Sequence, residues 1–119
     1  MRLLFVCVGN TCRSQMAEAL ASRMGHEALS AGTRPGSAVA AEAIEVVGEL
    51  GIDMSGQYPK SVDDIDGTGF DRIISMGCGV EGPALPMDRD WGLDDPVGGS
   101  IALYRQTRDK IRAHLEALD

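Results

Sequence analysis

Residues 2–8 read Arg-Leu-Leu-Phe-Val-Cys-Val, apolar at nearly every position and not at every second one. A strand with one wet face alternates; a strand buried on both faces does not. A run this short, rich in β-formers and cut off by Gly9-Asn10, predicts an inner strand of a sheet covered on both sides. Such sheets are parallel, and their ligands bind at the carboxyl ends of the strands.

The rest of the chain fits that frame. Ser14 reads as the N-cap of a helix with Met16, Ala19, Leu20 and Met24 on one side, closed by Gly25. Glu27 to Ala31 reads as a second strand ended by Gly32, and Arg34-Pro35-Gly36 as a turn. Ser37 is the expected cap of a second helix running to about Leu50, with Ala40, Ile44, Val47 and Leu50 as its apolar stripe. Residues 53–69 are polar and irregular, with one short helix expected around Ser61 to Ile65. Phe70 to Met76 is the third strand, Gly77 to Asp95 a long loop, and Ile101 to Leu118 a final helix with Ile101, Tyr104, Ile111, Leu115 and Leu118 on one face. Long loops in compact domains are often functional. No repeat or linker interrupts the 119 residues, so one domain spanning 1–119 is expected.

Aromatics are only 4% of the chain, so aliphatic residues must fill the core. The formal net charge of -7 argues against nucleic acid or an anionic membrane as partner. The run Leu3 to Val6 is too short for a signal sequence, and no stretch approaches a membrane span. Three cysteines, an odd number, suit a reducing cytoplasm better than a disulfide scaffold, and they are read first as chemistry.

Chemistry concentrates in Cys7-Val8-Gly9-Asn10-Thr11-Cys12-Arg13-Ser14, between a buried strand and a helix start. That setting turns backbone N–H groups and the positive helix end into one concavity, made for a tetrahedral oxyanion. Gly9 allows close approach and Asn10 tolerates a left-handed backbone. Arg13 supplies a fork for two anion oxygens. The same field favours a Cys7 thiolate, the nucleophilic form, and Ser14 is placed to donate a bond to that sulfur. The bland alternative for Cys7, a small buried hydrophobe, leaves the Gly-Asn pair and Arg13 unexplained.

This loop, with the following Gln15-Met16-Ala17-Glu18, resembles the signature of the low-molecular-weight protein tyrosine phosphatase superfamily, and most closely the thioredoxin-coupled arsenate reductases on that fold. Ser30-Ala31-Gly32-Thr33, Trp91-Gly92-Leu93-Asp94-Asp95-Pro96 and Tyr104 to Asp109 extend the resemblance over most of the chain. It implies a three-layer α/β sandwich, with a four-stranded parallel sheet and helices on both faces. It implies that Cys7 attacks arsenate, that residues Val8, Gly9, Asn10, Thr11, Cys12, Arg13 and Ser14 bind the oxyanion, and that Asp95 is the acid, with Asp94 the alternative. Asn10 would support the loop, with Ser30 as partner. Phosphate or sulfate would bind as analogues.

Reduction of arsenate takes two electrons, which a second sulfur can supply by attacking the Cys7 adduct. Cys78, following the third strand between Gly77 and Gly79, matches the resolving cysteine of the reductases. Gly82 stands where those relatives carry a third redox cysteine. Either Cys12 takes that part, or an external thiol (thioredoxin or a small thiol) resolves a Cys7–Cys78 disulfide directly. Otherwise Cys12 is a packing residue. No tightly bound cofactor or metal is expected, and the chain is expected to be a monomer.

Two other functions share the loop. A tyrosine phosphatase would use Cys7, Arg13 and Asp95 but has no role for Cys78, and Val97-Gly98-Gly99 offers no aromatic to sandwich a ring. A non-enzymatic oxyanion- or arsenite-binding protein would have no use for an acid at Asp95. Trp91 reads as a packing anchor, His26 and His114 as surface residues, and Asp63, Asp64 and Asp66 as a solvated turn.

Overall fold

A computed structural model describes residues 1–77 and 88–118. In chain order the elements are β1 (Arg2–Cys7), α1 (Arg13–Arg23), β2 (Glu27–Gly32), α2 (Ala41–Gly48), a 3-10 turn (Val62–Asp64), β3 (Arg72–Ser75), β4 (Arg89–Asp90) and α3 (Ile101–Glu116). The four strands form one sheet in the order β2-β1-β3-β4, and every pairing is parallel.

β1 is the inner strand that its unbroken apolar run predicts. Leu3, Leu4, Phe5 and Val6 are all fully buried. Their side chains alternate between two cores. Leu3, Phe5 and Cys7 join Met16, Leu20, Val46, Val47, Tyr104, Ile111 and Leu115 beneath the three α-helices. Leu4 and Val6 join Ala31 and Ile73 on the opposite face, closed by Val62, Ile65 and Phe70 beside the 3-10 turn. Among the described residues, the three α-helices cover one face and the 3-10 turn lies against the other. Among the described residues, no helix is long and apolar enough to cross a membrane.

Several boundaries differ from the sequence reading, each for a local reason. β1 ends at Cys7, because Val8 already belongs to the loop. α1 begins at Arg13, with Cys12 and not Ser14 in the N-cap position and no side-chain cap bond. α2 begins at Ala41, and Ser37 caps nothing there. Residues 33–40 serve instead as a brace for the loop: Gly36 N–H donates to the Gly9 carbonyl and Ala40 N–H to that of Thr11. α2 buries Ala43, Val46 and Val47, while Ile44 of the expected stripe faces outward. β4 lies within the stretch read as loop. It consists of two charged residues, paired through the backbone with Ile74 and Ser75. The turn at Ser61 is as expected, with the Ser61 hydroxyl accepting from Asp63 N–H. In α3 the inward face is Tyr104, Thr107, Arg108, Ile111 and Leu115, and Ser100 caps its start.

Candidate active site

The loop between β1 and α1 has all its carbonyls turned outward onto protein donors. Those of Cys7, Val8, Gly9 and Thr11 accept from the N–H groups of Thr33, Arg34, Gly36 and Ala40. The Asn10 carbonyl accepts from Gln15 Nε2, and that of Cys12 from Met16 N–H. A peptide unit is planar and trans, so its N–H points opposite to its C=O. With the carbonyls outward, the N–H groups of Val8 to Arg13 face the inside of the loop. The N-terminus of α1 lies behind them, an arrangement suited to an anion.

Asn10 makes that course possible. It has φ 52°, the left-handed conformation, and its side chain is fully buried. Its amide donates to Ser14 Oγ at 2.7 Å, and its Oδ1 accepts from Gln15 Nε2 at 3.0 Å and Lys60 N–H at 2.9 Å. The expected bond from Asn10 to Ser30 is not the one formed. Ser30 Oγ donates to Glu18 Oε1 at 2.8 Å, and Lys60 Nζ pairs with the same carboxylate. Gly32 fills the space beside Asn10 instead: a Cβ there would collide with the Val8 carbonyl and crowd Asn10.

Cys7 and Arg13 are both buried, at 3% and 4% exposure. Arg13 Nη1 donates to the carbonyls of Met76 (3.2 Å) and Leu93 (2.9 Å), which fixes the guanidinium plane. Its Nη2 lies 3.6 Å from Cys7 Sγ, where a cation favours the sulfur's charged, nucleophilic form. The same nitrogen lies 3.6 Å from Asp95 Oδ2. Asp95 is thus the carboxylate brought to the loop, while Asp94 lines the cavity beside it. Asp95 Oδ1 accepts from Val97 N–H at 3.0 Å and faces Cys12 Sγ at 3.6 Å. Cys12 is buried, and its thiol is pushed up to about 12, first by burial and then by the charge of Asp95.

Over these groups opens a cavity of about 490 Å³, lined by Val8, Arg13, Gly77, Leu93, Asp94 and Asp95. No ring is among those lining residues. Gly77, at φ 87°, lies where two chain segments cross, and a Cβ would run into the backbone of Gly92 and Leu93. Cys78, to which the sequence reading gave the resolving role, and Gly82, where it expected a third redox cysteine, lie outside the described residues.

Residues 2–119 match the family model "Low molecular weight phosphotyrosine protein phosphatase". The chain belongs to this family. Within it, the chain is 36% identical to the "Glutaredoxin arsenate reductase" of Synechocystis sp., over 98% of this chain and 95% of that one. A solved structure described as "An arsenate reductase in the phosphate binding state" superimposes with a TM-score of 0.89 at 35% identity, covering 98% and 94% of the two chains. A low molecular weight protein tyrosine phosphatase from T. tengcongensis gives 0.81 at 32%, covering 98% and 95%.

The loop also rests on residues to which the sequence reading gave no role. Gln15 is fully buried and also donates to the Tyr58 carbonyl, and Gln57 in turn donates to Gln15. Gln15 follows the motif directly, and that adjacency was the one available signal. Lys60 and Tyr58 act partly through their backbone, which leaves no trace in residue type. Trp91 is the packing anchor expected, at 5.5 Å from Phe5. His114, read as a surface residue, stacks on Trp91 at 4.8 Å and is half-buried. Asp63, Asp64 and Asp66 are exposed as expected.

Proposed function

We propose that the chain is an arsenate reductase in which Cys7 is the nucleophile, Arg13 and the loop N–H groups hold the anion, Asp95 is the acid and Cys78 resolves the adduct. The Cys7 thiolate bonds arsenic as one As–O bond breaks. Asp95 protonates the departing oxygen, which leaves as water. The Cys78 thiolate then attacks Cys7 sulfur, the S–As electron pair stays on arsenic, and arsenite leaves with a Cys7–Cys78 disulfide behind it. An external thiol returns the disulfide to two thiols. With glycine at position 82, we assign that step to a glutaredoxin-type or small thiol acting on the disulfide directly.

One observation carries this reading. Gly77 lines the cavity above Arg13, and the next residue in the chain is a cysteine. A phosphatase has no work for that thiol. The loop alone suits phosphoryl transfer equally well, so weak aryl phosphate hydrolysis is expected too. The test is incubation with arsenate and reduced glutathione plus glutaredoxin, with arsenite measured. Cys7→Ser and Cys78→Ser should both abolish arsenite formation, and Cys7→Ser alone should abolish phosphatase turnover. Arsenite formation unaffected by Cys78→Ser, or efficient aryl phosphate hydrolysis without arsenite, overturns the proposal.

A further inference from the structure

Cys12 has a buried thiol that the scheme above leaves without work. Its Sγ lies 3.6 Å from Asp95 Oδ1, an oxygen that also accepts the Val97 N–H at 3.0 Å. The other oxygen, Oδ2, lies 3.6 Å from Arg13 Nη2, the same nitrogen that stands 3.6 Å from Cys7 Sγ. Oδ2 is therefore on the reacting side and Oδ1 on the supporting side. A protonated carboxyl has one hydroxyl and one carbonyl oxygen, and the oxygen that accepts two donors is the carbonyl.

We infer that Cys12 is a positioning residue for the acid: its thiol and the Val97 amide together occupy Asp95 Oδ1 and confine the transferable proton to Oδ2. The inference rests on the reading of Asp95 as acid. The proton lost by Oδ2 goes to the oxygen leaving arsenic, which departs as water and leaves Asp95 ionised. Cys12 gives up nothing and stays a thiol.

The surroundings keep it a donor. Burial, and after it the charges of Asp95 and Cys7, outweigh Arg13 and hold the thiol near 12. Tyr104, from α3, is likewise pushed up to about 12, first by burial and then by the charges of Cys12, Glu42 and Asp95. The groups facing this carboxyl are thus Cys12, Cys7 and Arg13 from the loop and α1, neutral Tyr104 from α3, and neighbouring Asp94. A thiol held so high is a poor nucleophile at neutral pH.

Two measurements test the role. The first follows the Asp95 carboxyl carbon by carbon-13 NMR at fixed pH, which needs no turnover. Cys12→Ala removes a donor to Oδ1, so the Asp95 carboxyl resonance should move at fixed pH, and Cys12→Ser should bring it back. The second is arsenate turnover against pH. Cys12→Ala should lower kcat about 3- to 10-fold with little change in KM, and Cys12→Ser should recover most of it. In an Asp95→Asn background the alanine change should cost nothing further. An unmoved Asp95 carboxyl resonance in folded Cys12→Ala protein overturns the inference. So does an equal loss from Cys12→Ala with and without Asp95, which would mark a packing role. If the parent protein makes no arsenite, the reductase reading fails while the carboxyl resonance still decides the Cys12–Asp95 contact.

Discussion

Replacing Asn10 by alanine tests whether the loop is held by one side chain. The asparagine is fully buried and makes three side-chain hydrogen bonds, to Ser14, Gln15 and Lys60 N–H, at 2.7, 3.0 and 2.9 Å. Each such bond contributes about 0.5–1.5 kcal/mol net, so their loss costs about 2–4 kcal/mol. Alanine at φ 52° adds about 1 kcal/mol of steric strain that asparagine largely avoids. The sum, about 3–5 kcal/mol, is a large share of the about 5–15 kcal/mol that stabilises a typical domain. Urea denaturation of the parent, Asn10→Ala, Ser14→Ala and the double variant measures it. Ser14→Ala alone should cost about 1 kcal/mol, and much less once Asn10 is gone, because the two share a bond. A loss below about 1 kcal/mol for Asn10→Ala, or strict additivity with Ser14→Ala, would refute this account of the network.

Other consequences follow from the same contacts. Glu49 binds Arg105 and Arg108, and first its bonds to Arg105 lower its carboxyl from 4.5 to about 2. A depressed folded-state value stabilises the fold above the ordinary carboxylate value, so that contribution should fade as pH falls from 4.5 toward about 2. Thermal melts of Glu49→Gln should lose this part of the acid sensitivity; melts that track the parent at every pH would contradict it. With iodoacetamide at pH 8, native protein should be alkylated at Cys7 and spared at Cys12, as peptide mass mapping will show. Gly32→Ala should fail to fold or lose all turnover, because the added carbon meets the backbone of Val8 rather than a movable side chain; a folded, active variant would show that the close approach is dispensable. Asp95→Asn should lower arsenate turnover about 100-fold or more while phosphate still binds, which separates an enzyme from a binding protein.

What the sequence disclosed and what it hid divide along a physical line. β1 was legible because burial on both faces writes an unbroken apolar run. The Cys7 to Arg13 loop was legible because a tight bend between a buried strand and a helix start needs glycine and a residue tolerant of the left-handed region in one short stretch. β4 left no pattern, since Arg89 and Asp90 enter the sheet through the backbone on an exposed edge. The start of α2 was misread because Ser37 looks like a cap, while the neighbouring backbone is committed to the loop carbonyls. Ser30 was given the wrong partner, for a hydroxyl does not declare which acceptor it will meet. Cys12 was divided between packing and redox work, and only its distance to Asp95 offered a third use.

The central claim, that Cys7 and Cys78 together deliver two electrons to arsenate, is tested most directly by one turnover without external reductant. Fully reduced protein is mixed with excess arsenate, arsenite is counted per chain, and the protein is mapped by mass spectrometry. The account predicts one arsenite per chain, a mass lower by two hydrogens, and a Cys7–Cys78 disulfide peptide. No arsenite, or arsenite accompanied by a disulfide that excludes Cys78, would contradict it.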